Sequence, residues 1–156
     1  MENRAKEIDD PFSKDKTGNS LKLLRMAEET RVKRTEDTLL ALEVLSGGAM
    51  QTTNMGDVTP KLIVLTTLNS GNHLFSHIAK DDLGKPLFSL AALKQVVKDY
   101  SERIAGKIYI GRRMGFMDEL EKKLEQYKDS NGEKIFYGSV NEAIRAYVEE
   151  VKAQIP

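Results

Sequence analysis

Two polar segments hold the residues of this sequence that have the right chemistry to bind a ligand. The first, 45–59, follows a helical pattern. The second, 69–73, follows an apolar run, 61–67, that is typical of a buried strand. Backbone rich in glycine, amides and hydroxyls suits the close approach of a phosphate group. We expect binding rather than catalysis, because neither segment pairs a nucleophile with a base. The candidate residues are Gly47, Gly48, Gln51, Thr52, Asn54, Asn69, Asn72 and His73.

The order of strands and helices predicts which of these residues meet. Residues 61–67 and 107–110 both have strand character, and a helical pattern capped by Ser89 lies between them. This order predicts a βαβ unit whose two strands are parallel neighbours in one sheet. Ligands of open α/β sheets bind outside the carboxyl ends of the strands. An anion or phosphate site is therefore expected there, formed by Asn69, Asn72, His73, Arg112 and Arg113. The alternative is that both arginines are solvated and that 69–72 is only a turn.

The predicted fold class is mixed α/β (α+β), helix-rich, with a small sheet containing one parallel βαβ unit. A helical period runs from about residue 20 to residue 45, and another covers 116–127. Residues 134–137 suit a short edge strand, and the capping-box spacing at 139–142 opens a terminal helix. Residues 1–20 are charged with little apolar content, which predicts a flexible arm before a single α/β domain over 21–156.

Composition limits the function classes. The chain has 24 Lys and Arg against 24 Asp and Glu, so a protein that simply coats nucleic acid is not expected, although a local basic patch is possible. The absence of cysteine excludes disulfides, thiolate metal sites and cysteine nucleophiles. The charged N-terminus and the short apolar runs predict a cytoplasmic protein without membrane contact.

Metal and nucleotide cofactors are not expected. His73 and His77 have the i, i+4 spacing of two metal ligands on a helix, but the sequence places no third ligand beside them. Gly47 and Gly48 follow a helix rather than a strand, and they lack the Lys-Ser/Thr ending of a Walker loop. A nucleotide triphosphatase is therefore not predicted.

Residues 30–155 resemble the C-terminal half of a DevR-type protein, the repeated backbone subunit of type I CRISPR Cascade complexes. The resemblance lies in a helix that ends in Gly-Gly, a polar loop, and the segments Pro-Lys-Leu-Ile-Val-Leu, Asn-Ser-Gly-Asn-His, Leu-Lys-Gln-Val-Val-Lys-Asp-Tyr and Ile-Tyr-Ile-Gly. It implies an RRM-like palm and a filament of copies along a guide RNA, with a role in antiviral defence and no nuclease activity. RNA contacts would come from the loop 47–54 and from Arg112 and Arg113.

Three hypotheses follow. The first is a non-catalytic, RNA-binding structural subunit of a CRISPR ribonucleoprotein, with guide RNA and other copies or subunits as partners. The second is a small α/β enzyme or anion-binding domain with its site at the C-terminal edge of the sheet. There His73 would be the acid or base and an arginine the anion clamp. The third is a protein–protein interaction module that docks through the N-terminal arm and helix.

Overall fold

The computed structural model describes residues 5–45, 58–71 and 73–155. These form four helices and seven strands, which confirms the mixed α/β class. In chain order they are β1 (Lys6–Lys14), β2 (Ser20–Arg25), α1 (Glu28–Leu40), β3 (Leu62–Leu65), β4 (Ala79–Asp82), β5 (Lys85–Phe88), α2 (Leu90–Asp99), β6 (Ile108–Arg112), α3 (Glu121–Ser130), β7 (Ile135–Gly138) and α4 (Val140–Gln154).

The central sheet has three strands in the order β3-β6-β7. β3 runs antiparallel to β6, with Leu62 opposite Arg112 and Leu65 opposite Tyr109. β7 runs parallel to β6, and α3 connects the two. The parallel βαβ unit therefore exists, but it is β6-α3-β7, and the predicted parallel pairing of 61–67 with 107–110 is wrong.

The hairpin of β4 and β5 explains this reversal. The two strands pair antiparallel, and they lie beside Lys61 and Leu62, at the end of the sheet where β3 begins. After β3 ends, the chain runs back to the end of the sheet where β3 begins and forms the hairpin there. It then returns through α2 to the end of the sheet where β3 ends. Because it comes back to the end that it left, β6 must run opposite to β3. A helix alone between the strands would have made them parallel.

Helices cover both faces of the sheet. On one face, α4 packs on β3 and β6, and α1 packs on α4. The apolar cluster on this face contains Val140, Ile144, Val148, Leu39, Leu40, Leu42, Ile63 and Leu65. On the other face, α2 and α3 contribute Leu93 and Leu124 to a core that includes Ile108 and Ile110. A Cβ atom added to Gly111 would lie 2.8 Å from the Cα of Val140 and 2.8 Å from Ile63. Glycine at this position thus permits the close approach of α4 to β6.

Residues 6–25 form an N-terminal hairpin, where the sequence predicts an arm over 1–20 and then the beginning of the first helix. β1 and β2 pair antiparallel, and the carboxylate of Asp15 accepts hydrogen bonds from the backbone N–H groups of Thr17 and Asn19 at 2.8 and 2.9 Å in the turn between them. The expectation of helix from residue 20 is wrong, because α1 begins at Glu28. Both faces of the hairpin are largely exposed, and Phe12 is 94% exposed.

The helices that follow Ser89 and Ser139 begin where the sequence predicts, whereas the helix predicted over 116–127 begins at Glu121, after a 3₁₀ turn at Asp118–Leu120. Ser89 Oγ accepts a hydrogen bond from the Ala92 N–H at 3.1 Å, and Ser139 and Glu142 form the full capping box. The edge strand predicted at 134–137 is β7. Within the described ranges, no helix is long and apolar enough to cross a lipid bilayer.

Candidate functional site

The residues predicted to share one edge of the sheet do not converge. Because β3 and β6 are antiparallel, Asn69 follows β3 at the end where β6 begins, and its N–H donates to the Arg103 carbonyl at 2.9 Å. Arg112 and Arg113 lie at the opposite end, beside Leu62 and Lys61. The predicted convergence, on which the enzyme hypothesis depends, is therefore wrong.

The remaining candidates stand apart or cannot be placed. His73 and His77 are both exposed, and the described residues contain no group of three or more side chains that could hold a metal ion. The other predicted residues fall outside the described ranges. They are Gly47, Gly48, Gln51, Thr52, Asn54 and Asn72.

Arg112 is buried and engaged within the protein. Its Nε donates to the Tyr137 hydroxyl at 3.0 Å, and its Nη1 donates to the Phe116 carbonyl at 3.0 Å. Two carboxylates compensate its charge: Asp118, which also contacts Nη1, and Glu121, 3.3 Å from Nη2. The bond from Arg112, with help from the Gly115 N–H, lowers the pKa of Asp118. Arg112 thus fixes the loop 113–120 to the sheet, whereas the Arg113 residue is exposed.

A basic cleft opens at the other end of the sheet, between α2 and α3. Its volume is about 840 Å³, and its apolar floor includes Ile104 and Ile108 at the start of β6. Among the described residues that line it, none carries a carboxylate. We call it the lysine cleft, because four lysines line it: Lys94, Lys98, Lys123 and Lys134.

Helical spacing places three of these lysines. Lys94 and Lys98 are separated by one helical turn on α2, on the side of Leu90 and Val97, which also line the cleft. On α3, Lys123 lies on the cleft side, while Glu121 contacts Arg112 instead. Within the described chain, the cleft side of α3 therefore presents Lys123 and no carboxylate.

The lysine ammonium groups are not neutralised by the protein. In the described part of the chain, none of the four lysines of the cleft forms an ion pair. The Lys94 Nζ lies 5.0 Å from the centroid of the Tyr127 ring, and burial raises the pKa of this phenol, so that it stays neutral. The C-terminal ends of α2 and α3 contribute partial negative charge, which offsets part of the lysine charge. The remaining excess gives the cleft a positive potential suited to an anion.

Sequence reasoning missed this cleft. The i, i+4 spacing of Lys94 and Lys98 was a readable signal within a helix that the sequence does predict. Their convergence with Lys123 and Lys134 depends on how α2 and α3 pack on the sheet, and no local pattern reveals that.

Comparison of the chain with protein-family models, with curated proteins and with solved structures finds no match.

Proposed function

We propose that this protein binds single-stranded RNA without catalysing a reaction, and that the lysine cleft holds the RNA backbone. The observation that carries the proposal is the set of four uncompensated lysines around an apolar floor. Lysines contact phosphates, and an apolar surface with an aromatic ring accommodates an unpaired base. Base pairing outside the cleft would supply any sequence preference.

Salt dependence gives a quantitative test. Single-stranded binding weakens with salt by a logarithmic slope of about 0.7 for each phosphate that is neutralised. Four lysine contacts predict a slope of about −3 for a fluorescent oligo-uridylate measured by anisotropy. A slope near zero would contradict backbone recognition.

A pair of double variants locates the site. Lys94→Ala with Lys98→Ala removes two charges from the cleft, and should reduce the slope by about 1.4. Lys122→Ala with Lys128→Ala removes the same charge from α3 outside the cleft, and should leave the slope nearly unchanged. Equal losses in both variants would show that only the overall charge matters.

A small organic anion is a second candidate ligand, because the cleft volume lies within the range of about 300–1,000 Å³ that is typical of small-molecule sites. Uridine monophosphate as a competitor distinguishes the two candidates. Displacement of the oligonucleotide only at millimolar concentrations favours RNA, whereas tight binding of the mononucleotide favours the small anion.

Membership of a CRISPR ribonucleoprotein, with other copies or subunits as partners, rests on the resemblance of residues 30–155 and stays a hypothesis. Size-exclusion chromatography with light scattering on protein from its native host tests it. A large species that carries RNA of defined length would support this assignment, and a monomer free of nucleic acid would contradict it.

A further inference from the structure

A second basic groove lies between α1 and α4, on the face of the sheet opposite the lysine cleft. Its volume is about 530 Å³, and none of the described residues that line it carries a carboxylate. It is lined by Met26, Arg31, Arg34, Thr35, Thr67, Tyr147, Val151, Gln154 and Ile155. We call it the arginine groove.

The groove offers donors suited to phosphate. Arg34 is exposed, and within the described residues its guanidinium forms no ion pair. The Tyr147 and Thr67 hydroxyl oxygens lie 3.3 Å apart and form one hydrogen bond, which leaves hydroxyl capacity for a ligand. The nearby carboxylate of Glu36, on α1, is paired with Lys152 at 3.2 Å. An arginine beside hydroxyl groups is a common arrangement for phosphate oxygens.

Both clefts open at the same end of the sheet. The Ala105 N–H donates to the Thr67 carbonyl at 2.8 Å, and Thr67 lines the arginine groove. The next residue, Gly106, lines the lysine cleft. The N–H of Lys107 then donates to Glu150 of α4 at 3.1 Å. The short segment 104–107 therefore lies between the two clefts.

A carboxylate and an exposed lysine both lie at this crossing. Glu150 is the carboxylate at the crossing, and it accepts hydrogen bonds from the Tyr109 hydroxyl at 3.0 Å and from the Lys107 N–H. Its other oxygen is buried beneath Gly106. The Lys107 residue is exposed on the same segment, so a positive side chain is available between the clefts.

We infer that a single RNA strand held in the lysine cleft crosses the segment 104–107 and continues into the arginine groove. This inference rests on the proposed function and makes it more specific, because the ligand becomes an extended strand rather than one nucleotide. Single-strand sites of about 4–16 nucleotides are usual for one OB-fold domain, which sets the scale for an extended strand.

The test is the dependence of affinity on RNA length. A short oligo-uridylate of about 4 nucleotides should occupy the lysine cleft alone, and one of about 16 should reach both clefts. Arg34→Gln should weaken the long oligonucleotide about tenfold or more and leave the short one unchanged, since one charge-assisted contact is lost. The double variant at Lys94 and Lys98 should weaken both.

Lys33→Gln is the matched control, because Lys33 lies on the same helix, carries the same charge and does not line the groove. Equal effects of Arg34→Gln and Lys33→Gln on the long oligonucleotide would overturn the inference, as would equal affinity of the wild-type protein for the two lengths. In both cases the response of the short oligonucleotide to the lysine variant would still support the proposed function. Failure of both lengths to bind would overturn the two proposals together.

A polyglutamate competitor separates RNA from an acidic polypeptide as the occupant of the groove. If it displaces the long oligonucleotide as effectively as unlabelled RNA does, and if this competition requires Arg34, the groove binds acidic protein and the inference is wrong. Circular dichroism of each variant verifies that it is folded before binding is measured.

Discussion

Replacement of Arg112 by methionine tests whether this arginine, which the sequence predicts to bind an anion, instead stabilises the fold. Methionine replaces the unbranched part of the arginine side chain, without the guanidinium, and removes every donor. The hydrogen bonds to the Tyr137 hydroxyl and the Phe116 carbonyl, both at 3.0 Å, are then lost in a site where the arginine is only 5% exposed. The carboxylates of Asp118 and Glu121 would return to water, since their side chains are 56% and 50% exposed.

The magnitude follows from these contacts. Each hydrogen bond to a charged group is worth about 1.5–3 kcal/mol, and burial of the methionine side chain returns about 1.5–3 kcal/mol. The ion pairs add little, because both carboxylates are half-exposed to water. We therefore expect Arg112→Met to lower the free energy of unfolding by about 2 kcal/mol. With a urea m-value of about 2 kcal/mol/M, the midpoint should fall by about 1 M.

Urea unfolding followed by far-ultraviolet circular dichroism measures this change, and it suits a chain with no tryptophan. Arg113→Met is the control, because that residue is exposed and a surface substitution should stay within about 0.5 kcal/mol. Asp118→Asn should cost less in the Arg112→Met background than in the wild type, because Asp118 acts through the guanidinium. Equal midpoints for Arg112→Met and Arg113→Met would refute the structural role.

Three further predictions concern packing, acid and capping. Gly111→Ala should lower the free energy of unfolding by about 1–3 kcal/mol, because the added Cβ would lie 2.8 Å from the backbone of α4. Gly132→Ala is the control, since a Cβ there would have its nearest contact at 3.6 Å. Equal urea midpoints for the two variants would contradict this role of Gly111. Because the pKa of Asp118 is lowered in the folded state, its contribution is present above the ordinary value of about 3.9 and is lost as the pH falls through the lowered one. Asp118→Asn should therefore flatten the fall in urea midpoint below pH about 4, and an unchanged profile would exclude this carboxylate as a cause. Ser139→Ala removes the capping box and should cost about 1 kcal/mol in urea unfolding, so a loss below about 0.3 kcal/mol would show that the cap is dispensable.

The capping signals in the sequence were reliable. The caps at Ser89 and Ser139 and the apolar faces of the helices that follow them depend on residues within a few positions of one another. Such patterns persist because tertiary packing uses the same apolar face that the periodicity shows.

Non-local features could not be predicted in the same way. The direction of β3 depended on the hairpin of β4 and β5, where short charged strands give little alternation to read. The N-terminal hairpin was missed because its leucines also fit a helical period. Arg112 looked like a free cation, because its partners are brought to it by the turn that follows β6 and by β7. The lysine cleft forms where α2 and α3 meet, so no single segment of the sequence predicts it.

The position of β6 between β3 and β7 has a consequence for the order of folding. β7 is joined to β6 through α3 alone, whereas β3 is joined to β6 through a hairpin and a second helix, so closure of the β3–β6 pair costs more chain entropy. We expect the segment from β6 to α4 to form in the transition state and β3 to dock afterwards. Ile135→Val should then mainly slow folding, and Ile63→Val should mainly accelerate unfolding, as measured by stopped-flow chevron plots. The opposite assignment of the two rates would place the nucleus at the antiparallel pair instead.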